Sequence, residues 1–197
     1  VPNYVLMLVT AIIYVVLVFL CGWNTNLTQN LTLFKFAIIT PILISGCIID
    51  YRLQIIPNRL NLSLFEIGII FVFLYGFTNI NISADMCFGL IAGGGIFLLI
   101  TLIGGLIAGR EAMGFGDVKL MCGLGLVFGL SSIIIIALLS FLIGAILSII
   151  LLVSKKKSIN EYIPFGPFIV IASFISMFVP FTTLATILMK IFTLGLY

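Results

Sequence analysis

The chain has 197 residues, 63% of them hydrophobic and 8% charged, with a net charge of +3. Soluble domains are about a quarter charged, so this composition, with a mean hydropathy of +1.42, excludes a soluble globular protein and predicts a polytopic membrane protein in contact with lipid. The small positive balance implies no nucleic acid partner. Histidine is absent, which removes Ser-His-Asp and Cys-His catalysis, histidine-containing zinc sites and histidine proton relays. Cys21, Cys47, Cys87 and Cys122 are scattered without a C-x-x-C pair, so no metal or iron–sulfur site is expected and each reads as a small buried hydrophobe.

About 20 apolar residues cross a bilayer as a helix. The first such run is residues 4–21, without the basic start of a signal peptide, and Trp23 follows as an interfacial anchor. The second, 34–49, ends at Asp50; a loop over 51–58 carries Arg52 and Pro57, with Arg59 just beyond. The third is 60–77, and Ser83 in the turn after it is placed to cap the next helix. The fourth, 86–108, is glycine-rich, which lets membrane helices pack closely. A loop over 109–116 holds Arg110 and Glu111. The apolar run 117–153 is too long for one helix and splits near 129–132. Lys155, Lys156 and Lys157 follow, and 163–190 forms a seventh span whose prolines leave its ends and kinks open, including division into two short segments. The expected fold is all-α, a bundle of about seven transmembrane helices in one domain, residues 1–197. The matches to glycosylation acceptors at Asn26, Asn30 and Asn81 are expected by chance.

Orientation follows from the cations. Arg52, Arg59, Arg110, Lys119 and the three-lysine run fall on alternate turns, which places those turns in the cytoplasm; Lys35 is the exception. Asp50 and Asp117 then share the cytoplasmic membrane face.

The chain has only three aspartates. Asp85 reads as a helix-start carboxylate favoured by the dipole, and so does Asp117. Asp50 ends its helix, where the dipole disfavours a negative charge. Ionisable groups at membrane depth are functional-site candidates by default. If the loop before Asp117 packs on the loop after Asp50, the two carboxylates face each other and share one proton. One then activates a water while the other polarises a carbonyl. The dipoles assign the charge to Asp117 and the proton to Asp50. Gly114 and Gly116 remove side-chain bulk beside Asp117. The competing structural reading makes both acids partners of nearby cations.

Three stretches resemble the bacterial type IV prepilin peptidases. Asp50 followed by Ile56-Pro57-Asn58 is similar to the first motif of that family, Glu111 to Leu120 with Gly114-Phe115-Gly116-Asp117-Val118-Lys119 to the second, and Pro164-Phe165-Gly166-Pro167 to the third. The G-x-G-D arrangement is shared with archaeal preflagellin peptidases and presenilin, and the other two stretches favour the bacterial branch. The resemblance implies a membrane-embedded aspartic endopeptidase of the bacterial plasma membrane. It would cut the basic leader of prepilins or pseudopilins at the cytoplasmic face, after a glycine that precedes the substrate's apolar helix. Asp50 and Asp117 match the catalytic pair, and no cofactor is needed for proteolysis. Many members also carry an N-terminal C-x-x-C domain and methylate the product with S-adenosylmethionine. That cofactor is expected only in a full-length form; the sequence reads either as truncated at Val1 or as a member of a short, peptidase-only subgroup, and eight family spans less one match the seven here, which favours truncation. Among the remaining motif residues, Glu111 reads as a solvated loop acid before a basic leader, Lys119 as a topology anchor, and Pro57 as the end of a loop. Pro164, Gly166 and Pro167 are candidates for the wall of a substrate groove. Two other functions compete: a small transporter or channel that uses the same aspartates for protons or cations, and a non-catalytic scaffold. Transport predicts an inverted repeat with acids near mid-membrane, and the sequence has no such repeat.

Overall fold

The computed structural model describes residues 3–21, 26–108, 113–154 and 164–193. Trp23, Arg110, Glu111 and the three lysines at 155–157 lie outside the described residues, as does the side chain of Cys21. The helices in chain order are α1 (Asn3–Cys21), α2 (Leu27–Leu53), α3 (Asn58–Thr78), α4 (Ile80–Ala108), α5 (Phe115–Phe128), α6 (Leu130–Val153), α7 (Gly166–Phe178) and α8 (Phe181–Phe192). Of these, α2, α3, α4 and α6 are long and apolar enough to cross a membrane, and α1, α7 and α8 are shorter apolar helices. The chain is an all-helical, multi-pass membrane bundle. Its outer surface keeps large apolar side chains uncovered, Phe77 at 89% and Leu106 at 85% exposed, as a lipid-facing surface requires.

The bundle is built around α5. Nine of its 14 residues are buried, and it is apolar on every side, the pattern of a helix enclosed by others. Against it, α4 presents glycine. Gly89 and Gly125 bring the two backbones into contact, so a Cβ on either would strike the other chain segment. On its remaining faces α5 packs in one core with Leu43 of α2, Leu64 of α3, Ile133 of α6 and Ile169 of α7.

Several elements differ from the sequence reading. The second helix starts at Leu27 and runs past Asp50 to Leu53, because polar side chains near its start are satisfied within the bundle: the Thr32 hydroxyl bonds to Thr28 O at 2.9 Å and meets the Tyr75 hydroxyl at 2.6 Å. Pro41 lies inside α2. It lacks the N–H that would pair with Ala37 O, and the Tyr14 hydroxyl of α1 donates to that carbonyl at 2.9 Å. Lys35 is no loop cation. It is buried, donates to Val127 O at 2.8 Å, lies over the Phe36 and Tyr75 rings and is attracted by Asp85. Its ammonium thus answers a carbonyl at the C-terminal end of α5, where such groups lack helical partners.

Ser83 is not a cap: α4 begins earlier, at Ile80, and the Ser83 hydroxyl donates to Val72 O at 3.0 Å. Asp85 accordingly sits within α4, its carboxylate against Gly129. Cys87 is exposed and Cys47 and Cys122 are half-buried, so the buried-hydrophobe reading fails for Cys87. The split expected at 129–132 falls at Gly129, which joins α5 to α6 at φ +85°, a conformation open to glycine. The stretch 163–190 is two helices, α7 and α8. Pro180 has no N–H to continue the first, and Val179 before it is extended at φ −110°, ψ 128°, as residues preceding proline are.

Candidate active site

Asp50 is in the last turn of α2 and Asp117 is the third residue of α5. Each is 3% exposed. The two helix ends meet because the connection between α2 and α3 is short and doubles back. Gln54 takes the left-handed conformation at φ 55° and returns its N–H to Asp50 O. Pro57 then starts α3, and its carbonyl accepts the Leu60 and Asn61 N–H groups at 3.1 and 3.3 Å. Between them Ile56 packs on the start of α5, where a Cβ on Gly116 would lie 3.2 Å from Ile56 Cβ. Gly114 precedes α5, and its carbonyl accepts the Asp117 N–H at 3.0 Å.

Both aspartates line one open cavity of about 290 Å³, together with Gln54, Asn58, Gly114, Gly116 and Lys119. Loop packing thus brings the two scarce acids, distant in sequence, to a common wall. Across the cavity rim the Lys119 ammonium donates to Asn58 Oδ1 at 2.9 Å. Lys119 therefore ties α5 to α3 and does more than mark topology.

A third element reaches Asp50. The backbone N–H of Gly166, the first residue of α7, donates to Asp50 Oδ2 at 2.9 Å. The absence of a side chain permits this contact, since a Cβ on Gly166 would run into the Asp50 carboxylate. Phe165 anchors that end of α7, packed against Phe141 and Phe97 with ring centroids 5.1 and 6.0 Å away. Helix N-termini favour negative charge. The start of α7 thus faces Asp50 and opposes the unfavourable end of its own helix, while Asp117 stays in the first turn of α5. Asp117 Oδ1, by contrast, is buried with no hydrogen-bond partner.

Pro164 and Gly166 are buried and Pro167 half-buried. They act here by seating α7 on Asp50, and Pro57 by opening α3; none of the four lines the cavity. Glu111 lies outside the described residues. Asn61 does not stand out in the sequence. It is 3% exposed, its amide nitrogen points at Gly116 O at 3.5 Å, and its Oδ1 has no partner. Its spacing one helical turn after Asn58 was the available signal. Among the described residues no three His, Cys, Asp or Glu side chains gather as a metal site.

Comparison with known proteins gives a consistent family. The model for the type IV leader peptidase family matches residues 37–149. The chain is 35% identical over 157 residues to a prepilin leader peptidase/N-methyltransferase of Legionella pneumophila, an alignment covering 80% of this chain and 53% of the relative. Against the protein of the same name from Aeromonas hydrophila it is 31% identical over 156 residues, 79% of this chain and 50% of the relative. With that of Neisseria gonorrhoeae it shares 30% over 168 residues, 85% and 54%. The chain spans about half the length of the curated relatives it matches. No solved structure gives a significant match.

Proposed function

The chain belongs to the type IV leader peptidase family, and from that premise we propose that it is a membrane-embedded aspartic endopeptidase that removes the basic leader of type IV prepilins or pseudopilins. Asp50 and Asp117 are its catalytic pair. The observation that carries the reading is their placement on one cavity open to water, with the Asp50 carboxylate held by Gly166 N–H.

Two buried carboxylates on one site retain a single proton between them. The N–H and helix end at Asp50 favour the charge there, so the proton resides on Asp117. Asp50 takes a proton from a water, whose oxygen attacks the scissile carbonyl carbon. Asp117 gives its proton to the carbonyl oxygen, forming a gem-diol. Collapse of that diol breaks the C–N bond: the proton on Asp50 passes to the leaving amine and a diol hydroxyl returns its proton to Asp117, restoring the starting state. No metal or cofactor enters these steps. The proposal is confined to proteolysis; methyl transfer with S-adenosylmethionine, the second activity in the relatives' name, is not part of it.

The site faces the cytoplasm of the bacterial plasma membrane. Support comes from Arg59 and Lys119, exposed beside it, since cytoplasmic turns collect cations. Incubating the chain in detergent with a peptide made of a basic leader, a glycine and an apolar helix tests the reading. Cleavage at the glycine is expected from the wild type and not from Asp50→Ala or Asp117→Ala. Undiminished cleavage by either variant would falsify the mechanism.

A further inference from the structure

Gln54 is singled out by two separate observations. Among the described residues it is the one residue other than glycine with a positive φ, at 55° with ψ 32°. It also lines the cavity of the two aspartates. The left-handed conformation turns the chain out of α2 and closes the Gln54 N–H on Asp50 O at 2.9 Å. That turn brings Ile56 and Pro57 round to α3 and α5, and the turn itself needs no side chain. Glycine adopts this conformation without the clash between Cβ and the carbonyl, and asparagine tolerates it better than longer residues do. A residue held in a sparsely populated conformation at a site points to a use for its side chain.

The other groups on the cavity wall are already committed. The Asp50 carboxylate accepts from Gly166 N–H, and the two acids carry the proton chemistry. Asn58 Oδ1 accepts from the Lys119 ammonium, which ties that pair together. Ile55 and Ile56 are apolar, and Gly114 and Gly116 have no side chain. Gln54 is left. It is exposed, and among the described residues its carboxamide has no hydrogen-bond partner. A carboxamide offers a carbonyl acceptor and an N–H₂ donor, the complements of a peptide group. It carries no charge, so it does not compete with the aspartates for their proton.

We infer that Gln54 holds the substrate backbone beside the cut bond, its side-chain oxygen accepting the N–H of a peptide group next to the scissile one. The inference rests on the peptidase reading and adds a substrate-binding residue to the same site. A peptide entering the cavity gives up hydrogen bonds to water, and an N–H left without a partner there is penalised. Gln54 supplies that partner whatever side chains the substrate carries. The bond keeps the extended chain in place while the scissile carbonyl lies over the aspartates. It is made equally before and during the reaction, so it acts on KM and leaves kcat unchanged.

The test uses the full chain in detergent and three peptides of one sequence, a basic leader, a glycine and an apolar helix. One is all amide. In the other two, the peptide bond on one or the other side of the scissile bond is an ester, which lacks the N–H. Wild type is expected to lose about ten-fold in kcat/KM on one of the esters, through KM, the scale of one neutral hydrogen bond. Gln54→Met has similar length and no polar atoms. It should cut the all-amide peptide about ten-fold less well and lose nothing more on that ester, since the two changes remove one bond. Gln54→Gly relieves the left-handed strain, so it should unfold at a temperature no lower than wild type and still lose about ten-fold in kcat/KM. A merely structural Gln54 would slow amide and ester peptides alike and leave the ester effect intact. Gln54 is exposed, so the methionine variant decides the matter even if the glycine variant unfolds early. Three results overturn the inference and leave the peptidase reading standing: a wild type indifferent to both esters, an ester loss that persists in Gln54→Met, or a folded Gln54→Gly that cleaves within about two-fold of wild type. A wild type that cuts none of the three peptides refutes both.

Discussion

Replacing Gly166 with alanine isolates the contact that links α7 to the aspartates. The new Cβ would overlap Asp50 Oδ2 and approach Asp50 Cγ at 2.9 Å and Cβ at 3.2 Å. Carbon atoms rest at about 3.5–4.0 Å, so the carboxylate or the start of α7 must move by about 1 Å. Either motion breaks the 2.9 Å bond from Gly166 N–H, a bond to a charged acceptor contributing about 1.5–3 kcal/mol. Catalytic groups displaced by about 1 Å lose roughly 100-fold in rate. The assay is kcat/KM for the leader peptide beside a thermal unfolding curve in detergent. Gly95→Ala is the control, because a Cβ there meets nothing within 4 Å, and it should fold and cleave as wild type does. If Gly166→Ala cleaves within about two-fold of wild type, Asp50 does not depend on α7 and the account of its charge is wrong.

Other perturbations probe separate parts of the molecule. The double variant of Asp50→Ala with Asp117→Ala should be no slower than either single variant, since groups acting as one unit are not additive; a further loss on combining them would mean that the acids act independently. Infrared spectroscopy should show a protonated carboxyl band that disappears in Asp117→Asn and persists in Asp50→Asn; the opposite pattern puts the proton on Asp50. Lys35→Met leaves Val127 O without its donor and should lower stability by about 1–3 kcal/mol, with a smaller effect from adding Asp85→Asn, whose charge would otherwise lack its buried counterpart. Equal losses in the Lys35 variant and an exposed-lysine variant, Lys190→Met, would remove that role. Gly125→Val forces the backbones of α4 and α5 apart and should cost about 1–3 kcal/mol, read as a lower unfolding temperature; an unchanged curve would mean that the close approach is unimportant.

What could be read without coordinates was local. Hydropathy marks apolar runs wherever they occur, and the bundle's helices follow them, because backbone groups in lipid must bond within their own helix. Proline and glycine punctuation located the break at Gly129 and left open the break at Pro180, which the structure makes. The scarcity of acids drew attention to Asp50 and Asp117. Helix starts were read poorly, as with Leu27 and Ile80, because polar side chains at those ends are satisfied by tertiary partners that hydropathy cannot see. Lys35 was misplaced for the same reason: its charge is matched by a carbonyl 92 residues away.

The sequence by itself determined the class of the molecule, its α-helical build and the identity of its candidate acids, since each is written in composition or in runs of a few residues. Only the tertiary structure decided that Gly166 holds Asp50 across 116 residues, that Asp117 is left with an unpartnered oxygen, and that Gln54 stands on the wall of their cavity. Those features arise where helix ends from different parts of the chain pack together, and a helix dipole acts on whatever is brought to its end, however far away that group stands in the chain.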